Sequence, residues 1–298
     1  MVNTSSTTLS SVSSVFFSIV IPCYKCSTFI RKTLDTVKDQ TFKDLEIVIV
    51  DDCSPDNSLY VINQWIFDNK NKNSNLSVKL ISHSKNKMQS GARNTGIANS
   101  RGEYVALLDH DDLWYPKKLE TIYDYIKKTS ADWLCHSESL FNLNGANFGV
   151  TDPFIPSDHN TPEKRYRYLL FERNPYSPSA SCFSKKLLSS LSLEEKVFDE
   201  DKNLHSVEDY DLWLRLVKNG HECYPIKEVL GDYLINENSM VITQREKHFK
   251  NWLYILNKHY KLLEDKTIKD KFIYNKLIYK RKFQFYRQYN AIKRWING

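Results

Sequence analysis

Several absences narrow what this 298-residue chain can be. No apolar run reaches the roughly 18 residues that a membrane-spanning helix requires. The turn after the first apolar segment, PCYKCST (22–28), has no glycine, so it is not a dinucleotide-binding fingerprint. No G-x-x-x-x-G-K-[ST] phosphate loop and no G-x-S-x-G nucleophile elbow occur anywhere. The eight histidines show no metal-ligand spacing. The six cysteines are scattered at 23, 26, 53, 135, 182 and 223, which suits reduced thiols in a cytoplasmic protein. Cys23-x-x-Cys26 is placed as a dithiol redox pair would be, between a strand and a helix, but no second pair completes a zinc site. The first 14 residues carry no Lys or Arg and no apolar block, and read as a flexible polar tail rather than a signal peptide. There are no internal repeats.

What is present is enough for a large core. Hydrophobic residues make up 41% and charged residues an ordinary 26%, which allows one large α/β domain or two smaller ones. Charge is unevenly placed. Residues 240–298 hold 15 Lys/Arg against 4 Asp/Glu, a balance of +11, while the other 239 residues hold 27 against 32, a balance of −5. A basic end on a mildly acidic body points to an anionic contact.

Apolar runs at FFSIVI (16–21), LEIVIV (45–50), LSVKLIS (76–82) and EYVALLD (103–109) read as strands. The stretches between them read as helices: one with Phe29, Ile30, Leu34 and Val37, one with Leu59, Ile62 and Ile66 on a face, and a short one over 90–100. Pro116 opens a further helix with Leu119, Ile122, Tyr123 and Ile126. This alternation predicts a mostly parallel sheet flanked by helices, with ligands bound beyond the carboxyl ends of the strands. Farther on, 131–141 is a candidate strand, 142–161 is loop-rich and 142–178 shows no interpretable pattern. Residues 177–190 lead through a strand or turn into a short helix. SVEDYDLWLRLVKNG (206–220) is a helix with Ser206 as a candidate cap and Gly220 past its end, and 222–236 suggests strand, turn, strand. From Gln244 onward two helices are expected, the first with Phe249, Trp252, Leu253, Leu256 and Tyr260 at helical spacing.

Acidic residues gather at the predicted strand ends. Asp109, Asp111 and Asp112 crowd into four positions, where repulsion and burial are unfavourable unless a cation relieves them. Such carboxylates can hold Mg²⁺ or Mn²⁺ on a diphosphate; the plainer reading is a turn with solvated acids. Asp51-Asp52 can accept hydrogen bonds from a base or ribose, or the segment is simply a helix start capped by Ser54 or Asp56. Arg93 and Asn94 lie between Gly91 and Gly96, which would let the backbone approach a ligand and the guanidinium a diphosphate; the alternative is an ordinary exposed Arg. Glu208-Asp209 suits a helix first turn through the macrodipole, or supplies a general base whose pKa burial raises.

Taken together and in order, FSIVIPCY, DLEIVIVDDCSPDNS, GARNTGIANSRGEYVALLDHDD and VEDYDLWLRL resemble the family 2 inverting glycosyltransferases of the GT-A fold, over about residues 16–239. The resemblance implies a GT-A, Rossmann-like sheet, with 15–112 as the nucleotide-binding half and 113–239 as the acceptor-binding half. Residues 240–298 would follow as a basic amphipathic helical extension. It implies that Pro22 and Tyr24 line the uracil pocket, Asp52 bonds the uracil ring and Arg93 sits beside the base or diphosphate. Asp109 would approach the ribose or donor sugar, Asp111 would hold Mn²⁺ or Mg²⁺, and Asp209 would be the base with Glu208 supporting it. Lys25 stands where the family usually has Asn, and Asn236 where it often has His. The Q-x-x-R-W signature of polymerising members is absent, which favours transfer of a single sugar.

The expected activity is therefore metal-assisted transfer, with inversion, from a nucleotide-diphosphate donor, a UDP-sugar, to a glycan or lipid-linked glycan. The setting would be capsule or lipopolysaccharide assembly. Two rivals are a D-x-D phosphohydrolase, and a non-catalytic basic binding protein on a degenerate transferase scaffold. Against the first, the acidic pair follows the fourth strand and Leu113 holds the place usually taken by Thr or Val. Lys269, Lys276, Lys280 and Arg287 form a basic stripe beside Ile268, Phe272, Tyr279, Phe283 and Tyr286. That pairing suits an anionic membrane surface at the cytosolic face, better than nucleic acid; the alternative is that the aromatics pack on the domain.

Overall fold

The computed structural model describes residues 15–70, 76–191, 196–235, 243–267 and 269–278. The expected polar tail, Asn236 and the stripe residues Ile268, Tyr279, Lys280, Phe283, Tyr286 and Arg287 lie outside them.

Four parallel strands form one half of a single nine-stranded sheet: β1 (Phe17–Cys23), β2 (Leu45–Asp51), β3 (Ser77–Ser82) and β4 (Tyr104–Leu107), in the order β3-β2-β1-β4. Every residue of β1, β2 and β4 is buried, as mostly apolar strands covered on both faces must be. Their side chains alternate between two cores. Phe17, Ile19, Ile21, Ile47 and Ile49 meet α1 (Ile30–Lys38), α2 (Ser58–Lys70) and α4 (Lys118–Thr129). Val20, Val48, Val105 and Leu107 belong to the opposite core, with residues of α3 (Met88–Ala98), α5 (Pro162–Phe171), α6 (Lys185–Leu191) and α7 (Glu208–Lys218).

The sheet continues past β4 through β8 (Ser181–Ser184), β6 (Trp133–Asn142), β9 (Tyr224–Ile235) and the two-residue β5 (Leu113–Trp114), with β7 (Asn147–Val150) paired to β6. β4–β8, β8–β6, β6–β7 and β5–β9 are antiparallel, while β6–β9 is parallel. A long helix, α8 (Arg245–Lys261), joins the second core through Ile255 and Leu256, and a further helical segment covers 269–278.

Three expectations are corrected, and the glycines of α3 gain a second role. The stretch expected as strand, turn, strand over 222–236 holds one strand, Tyr224–Ile235, with irregular register; Gly231 lets β5 approach, since a Cβ there would lie 2.7 Å from the Leu113 carbonyl oxygen. The buried stripe of α2 is Ile62 and Trp65, while Leu59 is exposed at its first turn. Ser206 does not cap α7: its φ is +71°, the cap position is Val207, and its hydroxyl lies 2.9 Å from His248 Nδ1. The glycines of α3 also serve packing, because a Cβ on Gly96 would meet Val20 Cγ1 at 2.3 Å and one on Gly91 would meet Lys87.

Candidate active site

The carboxyl ends of the parallel strands converge on one rim. β1 ends beside buried Pro22 and exposed Tyr24, β2 runs into Asp51 and Asp52, β3 into His83, and β4 into the 109–112 loop. Asp52 is buried, and its Oδ1 accepts hydrogen bonds from His83 Nδ1 at 2.6 Å and from the Lys87 backbone N–H at 2.8 Å. His83 Nε2 lies 2.9 Å from the Thr95 hydroxyl, so the imidazole braces the acid against α3. Neighbouring Asp51 keeps one buried carboxylate oxygen without a partner among the described residues.

The acids of the 109–112 loop divide their work. Asp112 is buried and points inward: its oxygens accept from the Ser179 hydroxyl at 2.5 Å and the Leu234 N–H at 2.9 Å. The Ser179 hydroxyl in turn accepts from the Asp109 N–H at 3.0 Å, which fixes the loop. Asp111 is half-buried, and its carboxylate is pushed above the usual range by burial and by Asp109, with His110 opposing. The Nδ1–H of His110 donates to the Pro22 carbonyl at 3.3 Å, tying the loop to the end of β1.

Arg93 joins the two halves of the site. Only 1% exposed, it donates through Nη2 to Asp109 Oδ1 at 2.8 Å and through Nη1 to Glu208 Oε1 at 2.6 Å. The buried cation thus has its charge matched by acids from a strand end and from the start of α7, as a desolvated guanidinium needs. Sequence reading expects Arg93 beside the base or the diphosphate; in the structure its Nη1 and Nη2 donate to these acids, while its buried Nε has no partner among the described residues. Asn94, next along α3, accepts from the Val197 and Phe198 N–H groups and donates to the Phe198 carbonyl and to Glu200. It holds the segment before α7 against the sheet. Asp209 sits in the first turn of α7, and its pKa is raised to about 7 by burial and by Glu208, with Arg93 opposing.

The structure thus joins Asp109, Arg93 and Glu208 in one ion-pair network, with Asp209 adjacent to Glu208 and under the electrostatic influence of all three, and Asp111 on the same loop as Asp109. Pro22, Tyr24 and Asp52 lie along the same rim. His83 and Ser179 are site residues that sequence reading does not reach, because each acts through a partner 31 or 70 residues away. No disulfide links the cysteines, and Cys23 and Cys26 are buried thiols beneath the Tyr24 turn.

The donor set suits a hard divalent cation. It consists of carboxylate oxygens, and Asp111 is destabilised as an anion where it stands. Among the described residues no group of three or more His, Cys, Asp or Glu side chains is arranged to hold a metal alone. Mg²⁺ and Mn²⁺ commonly take only one or two carboxylates with substrate phosphates, so the residues present fit such an ion.

Comparison with known proteins agrees with this architecture. The family model described as "Glycosyl transferase family 2" matches residues 18–191. The "Putative teichuronic acid biosynthesis glycosyltransferase TuaG" of Bacillus subtilis is 26% identical over 235 residues, covering 79% of this chain and 85% of the relative. The structure of S. aureus TarS 1–349 in complex with UDP aligns with a TM-score of 0.60 at 19% identity, covering 92% of this chain and 73% of that one. The mannosyltransferase PcManGT from Pyrobaculum calidifontis, in complex with GDP-Man and Mn²⁺, gives 0.58 at 16% identity, covering 90% and 70%. The shared fold is GT-A. The family match runs from β1 through α6, well over half of the chain, and by it the chain belongs to glycosyl transferase family 2.

Proposed function

We propose that this glycosyltransferase moves a single hexosyl or N-acetylhexosaminyl unit from a UDP-sugar to a surface-polysaccharide or lipid-linked glycan acceptor, with inversion. The observation that carries the reading is the Arg93 bridge, which sets the strand-end acid Asp109 beside the start of α7 and its raised carboxyl, Asp209. The teichuronic acid relative supports the acceptor class, and the UDP complex of TarS supports the donor.

Residues 15–112 form the donor side in this reading, and 113–239 the acceptor side. Pro22 and Tyr24 line the base. Asp52, whose Oδ1 accepts from His83 and the Lys87 N–H, offers Oδ2 to a uracil N–H. Asp109, oriented by Arg93, faces the ribose or donor sugar. Asp111 would hold Mn²⁺ or Mg²⁺, which when bound supplies positive charge against the diphosphate as it departs. Asp209 takes the proton from the acceptor hydroxyl, and Glu208 raises its basicity by repulsion while Arg93 holds Glu208 in place. A single displacement, with the acceptor attacking opposite the diphosphate, inverts the anomeric carbon.

A panel of UDP- and GDP-sugars, with and without Mn²⁺ and assayed for released nucleotide, tests the donor assignment. The expected result is release of UDP that EDTA abolishes. Release of GDP alone would overturn the choice of base, and undiminished release in EDTA would remove the metal.

Among the described residues no helix is long and apolar enough to cross a membrane. We place the contact with anionic lipid headgroups, at the cytosolic membrane face, on the basic extension. Its exposed Lys269, Lys271, Phe272 and Lys276 support this. Reversing the three lysines to Glu should reduce sedimentation with phosphatidylglycerol vesicles; unaltered sedimentation rejects the placement.

A further inference from the structure

We propose that α8 is a positioning element for the proposed base, holding the segment that delivers Glu208 and Asp209 to the site. The inference rests on the assignment of Asp209 as base and extends it to a helix outside the family match. One face of α8 meets residues 199–206 in reverse order, and its last turn reaches Asp211. His248 Nδ1 lies 2.9 Å from the Ser206 hydroxyl, and Asn251 donates to the His205 carbonyl. Tyr254 donates to Asp201 at 2.6 Å, and Lys258 to Asp199 at 2.9 Å and to Asp211 at 2.8 Å. His259 donates through Nε2 to Asp211 Oδ1 at 2.9 Å.

Asp211 is the centre of this contact. It is fully buried two residues beyond Asp209 and also accepts from Arg215 Nε at 2.7 Å. Burial alone would raise its pKa, but the His259 hydrogen bond and the charges of Arg215 and Lys258 hold it well below the usual range. His259 is buried too, and burial lowers its pKa, with Asp211 opposing. With Nε2–H directed at Asp211, Nδ1 accepts from the Tyr166 hydroxyl at 2.9 Å, which ties α8 to α5 as well. The first turn of α7 therefore has two anchors, Arg93 on Glu208 from the sheet and α8 on Asp211 from behind. Ser206, with φ +71°, is the bend through which the segment enters α7, and it is held by the same helix.

A fixed base matters for rate more than for donor binding, because displacement of a reacting group by about 1 Å can cost on the order of a hundredfold. The test uses the full chain and the UDP-hexose that releases UDP fastest among UDP-glucose, UDP-galactose and UDP-N-acetylglucosamine. His259→Leu should lower kcat about tenfold or more while KM and the affinity for UDP with Mn²⁺ stay unchanged. His259→Gln, which keeps an N–H for Asp211, should restore most of kcat. If His259→Leu fails to fold, the double variant Tyr254→Phe/Ser206→Ala, at partly exposed positions, should still lower kcat several-fold with an unchanged unfolding midpoint. Wild-type kcat in a folded variant overturns the proposal, as does equal loss of kcat and UDP affinity, which would make α8 general support. Asp209→Asn, run alongside, separates the two readings: if it alone is inactive, the base stands and the brace falls; if it is active, the base assignment itself fails.

Discussion

At the scale of residues, the account turns on how acids are kept apart. Asp209 is raised to about 7 because burial and Glu208 oppose its ionisation more than Arg93 favours it. A base must be deprotonated, so the pH profile of kcat should fall on the acid side as pH drops through about 7; a profile flat down to pH 5 would contradict this. Stability runs the other way. Between the unfolded value near 4 and the folded value near 7, the folded chain holds a proton that the unfolded chain has released, so stability falls as pH rises through that window. Asp209→Asn should therefore unfold later than wild type at pH 8, by on the order of 1 kcal/mol after discounting for partial solvent access. Ser179→Ala removes the hydroxyl that joins buried Asp112 to the Asp109 N–H and should cost about 1–3 kcal/mol in chemical denaturation. The acids themselves were legible in the sequence, since Asp51, Asp52, Asp109 and Asp111 crowd where apolar strands end. Their partners were not: the Arg93–Glu208 contact spans 115 residues, and no local spacing encodes it.

At the scale of elements, legibility followed burial. β1, β2 and β4 are buried throughout and mostly apolar because both faces are covered, and such runs are readable. β9 was harder, because Gly231 carries the signature of a turn yet serves close pairing with β5. α5 lies in a stretch read without elements, although Thr161 caps it by accepting from the Lys164 N–H and proline follows the cap. At the opposite end of the sheet from the site, Arg101 pairs with buried Glu46 of β2, and the Gly102 N–H donates to the Ser18 hydroxyl at 2.7 Å. A Cβ on Gly102 would stand 2.6 Å from the Ser18 backbone nitrogen. Gly102→Ala should accordingly lower stability by about 1–3 kcal/mol through forced separation of β4 from β1, while Gly145→Ala, at φ +79° in open space, should show only local backbone strain. Equal effects of the two substitutions in denaturant titrations would contradict the packing argument.

At the scale of the whole molecule, one continuous sheet separates two cores, and its strand ends form the rim on which the acids stand. α8 shares a core with β1 and β4 strand residues, but its buried face is Asn251, Ile255, Leu256 and His259; of the five residues read from the sequence only Leu256 is buried, with Trp252 and Tyr260 packed at the margin. The charge asymmetry is equally plain in composition, but composition does not give the surface it meets. The central claim is that Asp209 acts as base at a site whose donor side is built separately from the parallel strand ends. Asp209→Asn, measured for UDP affinity in Mn²⁺ and for single-turnover transfer on the same sample, tests it most directly. The predicted result is unchanged UDP affinity with transfer slowed about a thousandfold; transfer at the wild-type rate would contradict it.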